Sequence, residues 1–137
     1  MLTKMFKMMK KGNKGFTMAE LMVVVVIIGV LTAIAVPVYN NVSTKAKVNT
    51  IATNLRIING AISQYILNEG KDPEPLDKLV PKYLQAVPKG PGVVRYAFQA
   101  ANDNEPAQAI TNMAEGAKIG EVTTGMTLEQ VIALIED

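Results

Sequence analysis

Cysteine, histidine and tryptophan are all missing from this chain. The absence of Cys excludes disulfide staples and thiolate nucleophiles, and with His also missing there is neither an imidazole base nor a zinc site built on those ligands. Aromatic residues are sparse, with three Phe and four Tyr, too thin a supply for an electron-carrying stack of rings. Any soluble domain must therefore be held by packing. The 137 residues leave room for one small domain beside a very apolar stretch near the start, so a two-domain enzyme is not expected.

Acidic charge is missing from the start. The formal net charge is +2, but Lys4, Lys7, Lys10, Lys11 and Lys14 all precede the first acidic residue, Glu20, and without them nine basic side chains face twelve acidic ones. The basic character belongs to the leading residues, and nucleic acid is not a predicted partner. Residues 21–43 carry no charge at all, and residues 21–38 read LMVVVVIIGVLTAIAVPV. As a helix these span about 27 Å, close to the hydrocarbon core of a bilayer. Lysines crowd the N-terminal flank, which places the start in the cytoplasm and the rest outside.

Past the apolar run the pattern changes. Val48, Ile51, Leu55, Ile58, Ile62 and Tyr65 recur at alternating steps of three and four, one stripe of an amphipathic helix that continues from the apolar segment. Pro37 removes a backbone donor and crowds the carbonyl of Ala33, which predicts a kink or a loosened turn. Residues 69–92 hold five of the seven prolines, so the helix cannot extend through them. Within that loop region Leu76, Leu79, Val80, Tyr83 and Leu84 mark a short helical turn. VVRYAFQ (93–99) reads as a strand by its β-branched and aromatic content, and AKIGEVTT (117–124) as a weaker one. ANDNEPAQA (101–109) reads as a mobile, solvated loop. At the end, Thr127 followed by Gln130 forms a capping-box pattern ahead of Leu128, Val131, Ile132 and Ile135, a short C-terminal helix.

Asp72 with Glu74, and Asp103 with Glu105, offer oxygen ligands of the kind calcium takes, but they read as solvated loop charges. No metal, cofactor or catalytic residue is expected.

Immediately before the apolar run stand Lys14, Gly15, Phe16, Thr17, Met18, Ala19 and Glu20. KGFTMAEL followed by such a run closely resembles the class III signal of type IV pilins and type II secretion pseudopilins. The resemblance implies that a prepilin peptidase cuts after Gly15 on the cytoplasmic side and methylates the new amine of Phe16. It implies an assembly role for Glu20 and helix irregularity at Gly29 and Pro37. The implied protein is a structural pilin subunit, not an enzyme, passing from the inner or cytoplasmic membrane to a surface filament. Its partners would be identical or homologous pilin subunits, the peptidase, an inner-membrane platform protein and an assembly ATPase. Two departures stand out: Met18 and Ala19 replace the more usual Leu-Ile or Leu-Val pair, and the family's frequent C-terminal cysteine pair is missing.

The expected fold is α+β. A cleaved leader (1–15) precedes a long helix (16–68) with a transmembrane segment at about 21–38, then a small extracytoplasmic head (69–137) with few strands and a short C-terminal helix. A lone carboxylate near bilayer depth is costly unless paired. The ammonium that cleavage creates on a neighbour's Phe16 is the expected partner for Glu20, which links processing to assembly. Within the family, a pseudopilin of a secretion or DNA-uptake system has the same N-terminus. Outside it, Ala33-Ile34-Ala35 satisfies the rule for an ordinary signal cut after Ala35, leaving a soluble exported domain, and a permanent single-pass anchor is a third reading. The mass of the mature N-terminal peptide separates the family reading from the ordinary signal and the permanent anchor.

Overall fold

The computed structural model describes residues 15–136. The leading lysines and the leader up to residue 14 lie outside the described residues. The elements are helix α1 (Met18–Glu69), a 3-10 turn (Leu76–Leu79), strands β1 (Arg95–Gln99) and β2 (Gln108–Asn112), and helix α2 (Leu128–Glu136). The class is α+β, with the long helix beginning and ending within two residues of the expected 16–68. The chain divides into two compact units, one up to Tyr39 and one from Asn40 onward.

In the first unit every described residue is exposed. The aliphatic side chains cover all faces of the helix, so no stripe exists that could fold onto a partner within the chain. The Thr32 hydroxyl donates back to the Ile28 carbonyl at 2.6 Å, which satisfies it without water. Helical structure runs unbroken through Gly29 and Pro37. At Pro37 the missing N–H removes a single backbone bond, and the turns on either side keep theirs, so the helix continues past it.

In the second unit periodicity makes the core. Val48, Ile51, Leu55, Ile58 and Ile62 are all buried, and Tyr65 packs against them at the margin. Leu79, Val94, Ala109, Val122 and Val131 close over this stripe with no residual exposure. Leu76 and Leu79 come from the short turn expected there. The C-terminal helix also forms as expected. The Thr127 N–H donates to Gln130 Oε1 at 2.9 Å and the Gln130 N–H to Thr127 Oγ1 at 3.5 Å, and the helix buries Val131.

The sheet departs from expectation. β1 lies within 93–99 as read, but its antiparallel partner is β2, with Tyr96 opposite Thr111 and Phe98 opposite Ala109. Gln108 and Ala109, at the end of the expected solvated loop, belong to a strand instead, and Ala109 is fully buried. Residues 117–124 form no strand, only a tight bridge between Ile119 and Val122. Gly120 in that turn has φ +59°, and a Cβ there would come within 2.9 Å of Thr44 on α1, so the turn reaches the helix only because the residue is glycine.

Polar side chains tie these pieces together. Asn59 Oδ1 accepts the Ala109 N–H at 2.7 Å. Asn54 Nδ2 donates to Tyr96 Oη at 3.0 Å and to the Lys89 carbonyl at 3.2 Å. Burial pushes the Tyr96 phenol above its ordinary value, and the bond from Asn54 partly offsets this. Buried Thr111 donates to the Thr123 carbonyl at 2.6 Å and accepts the Met126 N–H at 2.9 Å. Its own N–H and C=O pair with the Met126 carbonyl and the Gly125 N–H. Thr111 thus clasps the segment leading into α2, in a chain with no cysteine to cross-link it. At the end of α1, Glu69 accepts hydrogen bonds from Lys82 Nζ at 2.7 Å and Tyr83 Oη at 3.1 Å. Those bonds, Lys82 foremost, hold the Glu69 carboxyl below its usual range and raise Lys82.

Candidate functional site

The start of α1 is shaped by Gly15, Phe16 and Thr17, which are exposed and non-helical. Thr17 ends the approach: its carbonyl accepts the Leu21 N–H at 3.1 Å, the first bond of the helix. Its hydroxyl accepts the Glu20 N–H at 3.2 Å and donates to Glu20 Oε2 at 3.0 Å. Glu20 Oε2 also accepts the Thr17 N–H at 2.8 Å. This is a reciprocal capping box, T-x-x-E, placing a carboxylate in the first turn where the exposed N–H groups favour negative charge. Glu20 Oε1 has no hydrogen-bond partner among the described residues.

Sequence reasoning treated Glu20 as a carboxylate in need of an intermolecular partner and missed the one three residues upstream. The signal was present, since the same spacing was used to predict the cap at Thr127. Phe16 is 81% exposed and shares an open groove with Ala19, Glu20, Val23 and Val24. Among the described residues nothing lies within 4 Å of a Cβ built on Gly15 or Gly29, so packing against them does not demand either glycine. Of the residues singled out from sequence, Phe16 and Glu20 lie together around the helix start. Gly29 and Pro37 lie farther along the helix, and no side-chain contact joins them to that site.

Residues 10–36 match the family model described as the prokaryotic N-terminal methylation motif. This chain carries that motif. The matched stretch contains Gly15, Phe16, Glu20 and Gly29, and Pro37 is the first residue past it. Among curated proteins, the chain is similar to the type IV major pilin protein PilE1 of Neisseria gonorrhoeae, 33% identical over 105 residues, covering 70% of this chain and 58% of that protein. It is 32% identical over 100 residues to a fimbrial protein of Neisseria meningitidis serogroup A, covering 67% and 59%. The type IV major fimbrial protein FimA of Dichelobacter nodosus is 44% identical over a shorter stretch of 66 residues, 47% of this chain and 42% of that one. The chain thus spans roughly half of the length of the curated relatives it matches. No solved structure matches it. The resemblance to type IV pilins carried by KGFTMAEL holds in these comparisons, and the motif segment coincides with the capped start and the fully exposed part of α1.

Proposed function

We propose that the chain is a structural subunit of a type IV pilus or a related extracellular filament, made as a membrane-held precursor and assembled through the apolar part of α1. The observation that carries this reading is the contrast within the motif segment: a well-capped helix start leads directly into aliphatic residues that the chain itself leaves wholly exposed. Such a surface is stable only in lipid or against other apolar helices, and one helix here is long and apolar enough to cross a membrane. Lipid before assembly and neighbouring copies afterwards supply both environments in turn.

Under this reading the peptidase cuts between Gly15 and Phe16, and residue 16 becomes the methylated N-terminus. The Thr17–Glu20 cap survives the cut, because every atom in it lies beyond the scissile bond. Glu20 Oε2 stays in the cap, which leaves Oε1 for the Phe16 ammonium of another subunit. The pair sets register, and apolar burial along residues 21–38 supplies most of the attraction. Packed neighbours also permit the stretch from Gly29 to Pro37 to open, since side chains of other subunits then surround the freed backbone groups. Partners on this path are like subunits, the prepilin peptidase, an inner-membrane platform protein and an assembly ATPase, and the destination is the cell surface.

Mass spectrometry of sheared surface filaments tests the reading directly. The expected result is a filament dominated by this subunit, beginning at Phe16 with one added methyl group. Retention of Met1, or a start at Val36, overturns it. A correctly processed subunit that is rare in the filament assigns it instead to a minor or pseudopilin role.

A further inference from the structure

In the two-stranded sheet of β1 and β2, the outer edge of β2 has hydrogen-bond partners, and that of β1 has none among the described residues. On β2, Thr111 turns its N–H and C=O away from β1 to Met126 and Gly125, and the Ala109 N–H is turned the same way, to Asn59. Directly opposite residues in an antiparallel ladder either exchange both backbone bonds or neither. Tyr96 and Phe98, opposite Thr111 and Ala109, therefore send their N–H and C=O groups to the outer edge of β1. No backbone partner for those groups occurs there among the described residues. Such groups are satisfied by water or by an incoming strand.

The edge strand is short and carries one cation, the exposed Arg95 at its first position, but other blunting devices are missing from it. The register from Arg95 to Gln99 is continuous, without a bulge, and neither Pro nor Lys occurs in RYAFQ. Beside it runs a groove of about 300 Å³, lined by Leu76, Val87, Tyr96, Ala97 and Phe98 and bordered by Glu74 and Asp77. The two charged residues that line it are both acidic, and both are exposed. Backbone groups in a row, a trough of mixed polar and apolar lining and a negative border together suit an extended segment with alternating apolar and basic side chains.

We propose that the β1 edge binds an extended, Lys- or Arg-bearing peptide segment of another polypeptide, which adds as a third strand. Backbone bonds to Tyr96 and Phe98 hold it, one side-chain row enters the trough, and its cations meet Glu74 and Asp77. Nothing in this edge depends on how the N-terminal helix is processed or assembled, so success or failure here leaves the filament reading untouched.

The test uses the full-length chain in nonionic detergent micelles, a short synthetic peptide alternating valine with lysine, and the same peptide N-methylated at alternate amides so that it cannot pair as a strand. Expected are saturable binding of the first peptide, slowed hydrogen exchange at the Tyr96 and Phe98 amides, and no binding of the second. The double variant Glu74→Gln, Asp77→Asn should bind roughly three- to tenfold more weakly at low salt, with an unchanged melting temperature. Binding indifferent to N-methylation overturns strand addition, as does the absence of saturable binding. Protection of the two amides that rises with protein concentration in the absence of peptide overturns the choice of partner, because the edge would then pair with a second copy.

Discussion

Val26 and Leu55 lie on the same helix and both carry a plain aliphatic side chain, yet Val26 is 63% exposed and Leu55 not at all. Residue type does not separate them; the surroundings in sequence do. Around Leu55 apolar residues return every three or four positions with polar ones between, so one face can be buried while the other stays wet. Around Val26 every face is aliphatic, no face is preferred, and the segment buries nothing in its own chain. Hydrophobicity makes a segment leave water, but only periodicity tells it to fold onto the rest of the same molecule.

The largest expected effect follows from that contrast. Leu55→Ala should destabilise the second unit by about 2–5 kcal/mol, the usual result of a cavity in a closed core, whereas Val26→Ala should leave its thermal unfolding unchanged. Melting both variants in detergent makes the comparison, and an equal loss from Val26→Ala would break it. Threonines offer a second pair. Thr111→Val removes a buried hydroxyl that serves two backbone groups and should cost about 1–3 kcal/mol, while Thr32→Val removes only a back-bond within an exposed helix and should leave the second unit's melting temperature where it was.

Glu20 sharpens the comparison at the point where the apolar segment begins. Glu20→Gln keeps an acceptor that can complete the capping box but removes the charge, and Glu20→Leu removes both. If pairing with an ammonium sets subunit register, both variants should lose filament several-fold when yield is normalised to processed subunit. If the cap is what matters, Gln should assemble like wild type and Thr17→Ala should fail with Leu. Gly15 substituted by a bulky residue should leave uncut precursor in the membrane; since no atom of the other described residues lies within 4 Å of its Cβ site, the expected defect is in recognition by the peptidase.

The smallest effect is on pH dependence, confined to the second unit. Glu69 has a depressed carboxyl value, so its contribution is present above the unfolded value and is lost as pH falls through the folded one. Lys82 is raised, so its share is present below the unfolded lysine value and is lost as pH rises through the folded value. Burial raises Tyr96 as well, which adds to the loss at alkaline pH. Both members of the Glu69–Lys82 pair are well exposed, and exposed ion pairs contribute little. Lys82→Met should flatten the acid side of a stability profile only slightly, with the alkaline loss from Tyr96 retained.

Local patterns in the sequence determined much of this protein. The apolar run, the stripe from Val48 to Tyr65, the proline-rich stop after Glu69 and the cap at Thr127 are all short-range features, each written in residues that lie within a turn or two of one another. The Thr17–Glu20 cap is equally local. Tertiary structure alone decided which strands pair. QAITN has weak strand character, and it becomes β2 because Asn59 and Thr111 hold its outer edge while Tyr96 and Phe98 face it across the ladder. The richer candidate at 117–124 bends back on itself at Gly120 and becomes a turn against Thr44. Strand pairing depends on backbone groups tens of residues apart finding partners, and that competition is settled by packing against α1, which no window along the chain contains.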